Sequence, residues 1–79
     1  MAVDRKRDAL IVVDLQPDFM PGGPLAVAEG DRIAVPIGLL AGRFSTVVTT
    51  QDWHPAGHVS FVERGGPWPP HCLAASAGA

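Results

Sequence analysis

Ala9-Leu10-Ile11-Val12-Val13-Asp14 and Thr46-Val47-Val48-Thr49-Thr50 are the two stretches that decide the fold of this chain. Each is a short run rich in β-branched side chains, which lose rotamer freedom in a helix and pack well on a pleated surface. The first run is apolar throughout and bounded by charge on both sides. It reads as a strand covered on both faces, as in a parallel sheet. Between the two runs, Asp31 is expected to cap a helix through Ile33, Pro36, Ile37, Leu39 and Leu40, with its regular part starting near Pro36. Strand, loop, helix and strand in that order, with a crossover of this length, predict a right-handed parallel βαβ unit and hence an α/β fold.

Outside this unit the chain is punctuated by proline and glycine. Gln16 to Ala26 contains Pro17, Pro21, Gly22, Gly23 and Pro24 and reads as an ordered loop. After Gln51, the residues Pro55, Gly57, Gly65, Gly66, Pro67, Pro69 and Pro70 leave little room for regular structure. The 79 residues make one small domain, 47% hydrophobic and 18% charged, which is a globular composition. A chain of this length buries only about 60–65% of its unfolded surface, so its stability is marginal. A two-stranded unit also leaves sheet edges open, and the isolated chain is expected to be unstable or prone to associate.

Several function classes are excluded by the same composition. Net charge is −2, and the Arg5-Lys6-Arg7 cluster is too short and too isolated from aromatics to serve nucleic acid. No apolar run approaches the ~18 residues that span a bilayer, and Ala9–Val13 is shorter than the core of a signal peptide. One cysteine, Cys72, excludes an internal disulfide framework. The expectation is a reduced, cytoplasmic protein without a nucleic-acid or membrane partner.

Chemistry concentrates at the strand ends. Ligands of open α/β sheets bind beyond the carboxyl ends of the strands. Asp14 follows the first strand directly and Asp52 lies just past the second, so parallel pairing puts both acids on one edge. Asp52 and His54 are two residues apart and, in extended backbone, project to the same side. His71, held by the stiff Trp68-Pro69-Pro70 segment, is the natural third ligand. One carboxylate and two imidazoles with positions left open describe a substrate-polarising divalent-metal site. His58 reads either as a hydrogen-bonded loop histidine or as a fourth ligand, Asp14 as an acid of the same site or a turn cap, and Cys72 as a nucleophile or a buried or spectator thiol.

Four blocks carry a family resemblance: Asp14-Leu15-Gln16-Pro17-Asp18-Phe19, Gly22-Gly23-Pro24-Leu25-Ala26-Val27, Asp52-Trp53-His54-Pro55-Ala56-Gly57-His58-Val59-Ser60-Phe61 and Trp68-Pro69-Pro70-His71-Cys72. Together they resemble the nicotinamidase/pyrazinamidase family of isochorismatase-like cysteine hydrolases, over about residues 8–72. The resemblance implies a Rossmann-like α/β fold in which residues 1–79 form a single incomplete domain, the N-terminal part of a larger sheet. It implies hydrolysis of nicotinamide to nicotinate and ammonia, within NAD salvage. It also implies that Asp14 is the general base and that Asp52, His54 and His71 hold one divalent metal ion, zinc, iron or manganese. Phe19 and Trp68 match residues that sandwich the substrate ring, and Gln16 matches the same pocket wall. A homo-oligomer of the full-length form is compatible with the resemblance.

The family triad further requires a lysine and a nucleophilic cysteine beyond His71. Lys6 precedes the first strand and Cys72 matches a non-catalytic position, so no nucleophile is assigned in this chain. The expectation is a truncated nicotinamidase that does not catalyse as it stands. The alternatives are a non-catalytic metal- or ligand-binding remnant, a related amidase, and the product of a degraded gene.

Overall fold

A computed structural model describes residues 2–79. Strand β1 (Ala9–Val12) and strand β2 (Thr46–Thr49) flank helix α1 (Ala34–Ala41). The strands pair in parallel, with Ala9 opposite Thr46 and Val12 opposite Thr49. The expected βαβ order and α/β class are thus the observed ones. Single 3₁₀ turns occur at Pro17–Phe19, Gly30–Ile33 and Val62–Arg64.

The crossover departs from expectation at its start. Asp31 does not cap α1 but lies inside the preceding 3₁₀ turn, where its carbonyl accepts the Ala34 N–H. No side chain caps α1, whose N-cap position is Ile33. The helix begins two residues before Pro36, because the first turn has no intrahelical use for a proline N–H.

The strands are also less covered than a doubly buried strand requires. All of β2 is exposed, and in β1 only Val12 is buried. Ile11, Val13, Val35 and Leu39 each leave more than half of their surface open. The radius of gyration is 15.2 Å, against about 12 Å for a compact globule of this length. The accessible surface of 5480 Å² exceeds the roughly 4,600 Å² typical of a folded protein of this mass. The apolar runs were written for two-sided burial, and the described residues supply cover for only part of it.

The best-packed region lies beyond β2. Phe61 and Cys72 are fully buried, and His71 and Gln16 nearly so. Isolated bridges join His54 to Leu73 and Phe61 to Trp68, tying the proline-rich segments into one layer. Gly66 is required there, since a Cβ would run into the backbone of Ser60. No helix among the described residues is long and apolar enough to cross a membrane.

Candidate metal centre

Parallel strand pairing delivers Asp14 and Asp52 to the same end of the sheet. Asp14 has a left-handed backbone, with φ of 52°, a conformation that Asp and Asn tolerate better than most residues. Thr50 fixes it there. The Thr50 hydroxyl donates to Asp14 Oδ1 at 2.7 Å, and the Asp14 N–H points back at Thr50 Oγ1 at 3.1 Å.

Asp52, His54 and His71 each offer one ligand atom, and the three atoms lie within 4.8 Å of one another. His71 Nε2 is 3.8 Å from Asp52 Oδ2. Donors around a tetrahedral zinc ion sit roughly 3.4 Å apart, given bonds of about 2.0–2.1 Å, so a small inward movement closes the set. The hydrogen bonds also fix which nitrogens are available. His54 Nδ1 faces the carbonyl of His71 at 3.1 Å, and His71 Nδ1 faces the carbonyl of Pro69 at 2.8 Å. A carbonyl only accepts, so both Nδ1 atoms carry the proton and both Nε2 lone pairs remain for a metal. The donor set therefore fits a divalent ion.

His58 falls outside this group. Its Nδ1 accepts the Ser60 N–H at 3.2 Å and contacts Ser60 Oγ at 2.7 Å. Of the two readings of His58, the loop histidine is the one that matches this geometry. Its ring packs 4.7 Å from that of His54.

Phe61 was not marked by the sequence, yet it organises the centre. Its buried ring lies 5.5 Å from His54 edge-on, 5.7 Å from His58 and 5.6 Å from His71. Aromatic contacts of this kind restrict ring rotation as well as excluding water. The signal available was the spacing itself, a Phe within the block that carries two of the histidines.

Phe19 and Trp68, matched to the substrate ring, and Gln16, matched to the pocket wall, have different surroundings. Phe19 lines a cavity of about 310 Å³ together with Asp14, Met20, Val27 and Ile33, and its ring is 5.8 Å from that of His71. Trp68 does not line this cavity and remains 47% exposed. Gln16 is bonded to the backbone of Asp52. Its Nε2 donates to the Asp52 carbonyl at 2.8 Å, and its Oε1 accepts the Asp52 N–H at 2.8 Å.

Cys72 is buried at φ 49°, with its N–H held by Asp18 Oδ2 at 2.6 Å. Burial, then the nearby carboxylates of Asp18, Asp52 and Asp14, push the thiol from its ordinary value near 9 up to about 11. A thiol so placed is inert as a nucleophile at neutral pH. The sign follows: from pH 9 to 11 the folded chain keeps a proton that the unfolded chain has lost. The thiol's contribution to stability is therefore full below about 9 and disappears by about 11. Iodoacetamide is expected to alkylate Cys72 at pH 8 at least tenfold more slowly in folded protein than in urea. Equal rates by mass spectrometry would contradict the burial.

With this geometry in hand, comparison with known proteins is informative. No protein-family model matches the chain. The nicotinamidase of Acinetobacter baylyi is 46% identical over an alignment of 81 positions, gaps included, that covers 82% of this chain and 38% of that protein. The zinc complex of Pyrococcus horikoshii pyrazinamidase superposes with a TM-score of 0.87 at 50% identity, covering 96% of this chain and 44% of that one. A protein of L. infantum, solved in complex with nicotinate, gives a TM-score of 0.92 at 48% identity, covering 100% of this chain and 41% of that one. The chain thus spans about two fifths of the length of the relatives it matches. Over that span it is similar in sequence and fold to nicotinamidases and pyrazinamidases, as its four motif blocks led one to expect.

Proposed function

We propose that a chain so similar to part of the nicotinamidases serves that same reaction, the hydrolysis of nicotinamide to nicotinate and ammonia. The observation that carries this reading is the convergence of one donor atom each from Asp52, His54 and His71, at the strand ends where Asp14 also lies. Asp52, His54 and His71 would hold a divalent ion, with zinc favoured by the P. horikoshii complex. When bound, the ion supplies a fixed positive charge and open positions suited to the ring nitrogen of a pyridine carboxamide.

The chain's own residues do the rest of the positioning. Phe19 offers an apolar face to a flat ring in the cavity shared with Asp14. The Asp14 carboxylate would take the proton of an attacking thiol, one that Cys72 does not supply, and later give it to the departing ammonia. The thiol's sulfur forms a C–S bond to the acyl carbon as the amide C–N bond breaks, and water then forms the C–O bond as the C–S bond breaks, releasing the acid and restoring the thiol. Fixing the ring sets the carbonyl toward the nucleophile, and orientation of this kind removes much of a bimolecular barrier. In this reading the enzyme is a cytoplasmic component of NAD salvage.

For these 79 residues by themselves, a second reading is supported by the state of their one thiol, which is metal and ligand binding without catalysis. Cys72 is buried, and its burial keeps it protonated. Both readings meet one experiment. The native protein as isolated from its source, and the 79 residues by themselves, are stripped with chelator and titrated with zinc or manganese while ammonia release from nicotinamide is followed. Metal-dependent release supports the hydrolase. Metal uptake with no release supports the binding reading, and no uptake sinks both.

A further inference from the structure

Three alternate residues past the end of β1 bond to two later segments, Thr50 to Asp52 and the turn at Cys72. Asp14 holds Thr50, Gln16 holds Asp52 and Asp18 holds Cys72. The second and third of these contacts address the metal ligands. Gln16 is 3% exposed, and its amide forms two antiparallel hydrogen bonds, both 2.8 Å, with the N–H and carbonyl of Asp52. That pairing mimics a strand partner and fixes the φ and ψ from which the Asp52 carboxylate projects. Asp18 Oδ2 accepts the Cys72 N–H at 2.6 Å, and its own N–H donates to the Gly78 carbonyl at 3.0 Å. A side chain at Gly78 would collide with the Asp18 carboxylate, so the packing around that group is tight.

Cys72 is the hinge between the two histidine ligands. Its left-handed backbone turns the chain straight after His71, and its carbonyl accepts the His54 N–H at 2.9 Å. The hydrogen bond that Asp18 accepts opposes the strain of that conformation. Immobilising one residue therefore constrains the backbone beside two imidazoles.

We infer that Gln16 and Asp18 are positioning residues of the metal centre, orienting Asp52 and the His54–His71 pair through backbone hydrogen bonds and so setting metal affinity. This deepens the proposed metal site and rests on it. Outer partners of this kind typically carry about 10–100-fold in metal affinity. Neither residue touches the ion or the substrate in this role.

Cobalt(II) titration of the chelator-stripped protein, read by visible absorption and calorimetry, tests the idea. Gln16→Met removes both amide partners at nearly constant volume, and Asp18→Ala removes the acceptor. Each is expected to weaken cobalt binding about 10–100-fold and to alter the d–d absorption bands. Asp18→Asn keeps an acceptor oxygen without the charge and is expected to stay within about threefold of the parent protein. Gln16→Glu keeps only the acceptor for the Asp52 N–H and should fall between parent and Gln16→Met. These two conservative variants carry the decision if the larger changes unfold the protein. Parent-like affinity and spectrum in Gln16→Met or Gln16→Glu would overturn the inference. So would an Asp18→Asn as weak as Asp18→Ala, because charge rather than orientation would then be at work. Failure of the parent protein to bind cobalt would instead overturn the metal site itself.

Discussion

Chelator-stripped protein carrying His71→Ala is expected to take up no stoichiometric zinc or cobalt, whereas the parent binds about one ion per chain. His71 is the most buried of the three donors, with 4% of its surface open. Its Nε2 is 3.8 Å from Asp52 Oδ2, and its ring packs near Phe19 and Phe61. Removing it leaves a carboxylate and one imidazole, too few for a stable open site. The loss in affinity should exceed the roughly 10–100-fold that an outer partner carries. Truncation also opens a void against two aromatic rings, so a destabilisation of about 1–3 kcal/mol should accompany it. His71→Gln keeps most of the volume and separates the two effects. If metal content by elemental analysis stays near one ion per chain in His71→Gln and His71→Ala, the assignment of the ligand set is wrong.

Asp14→Asn should act on the chemistry while leaving the metal in place. Asparagine tolerates the left-handed backbone at φ 52°. Its side-chain oxygen still accepts the Thr50 hydroxyl that now donates at 2.7 Å. What disappears is the ability to take and return a proton. General acid–base groups contribute about 10²–10⁴-fold, and a fall of that size in nicotinamide turnover by the catalytically competent protein is expected. Metal content and the melting profile should be unchanged. Turnover within a few-fold of the parent would remove Asp14 from the proton-transfer role.

The two predictions rest on features of different legibility. The ligand types and their spacing could be read directly, because Asp52 and His54 are local in sequence and a Pro-Pro pair stiffens the approach to His71. The parallel strands could be read as well, since β-branched runs and crossover length act within a few residues. The exact start of α1 could not. A capping acid at Asp31 was the plausible local reading, and a 3₁₀ turn over Gly30–Ile33 displaced it. Competing hydrogen-bond patterns at a helix start differ by little energy, and tertiary contacts decide among them.

Gln16 shows the same division at the site. By resemblance it matches part of a pocket wall, and its amide bonds to the backbone of Asp52, 36 residues away. The bond from Cys72 to Asp18 spans 54 residues. No local propensity specifies such pairings. They exist because burial leaves polar groups no water to bond, so each must find the partner that chain packing brings within reach.

The sequence by itself determined the βαβ order, the edge on which the acids emerge and the identity of the candidate ligands, because these follow from side-chain chemistry and short-range geometry. Only the tertiary structure decided which nitrogens of His54 and His71 face backbone carbonyls, that His58 bonds Ser60, and that Phe61, Gln16 and Asp18 pack and bond around these residues. Those facts depend on distances between segments tens of residues apart, and such distances come into being only when the loops close and exclude water.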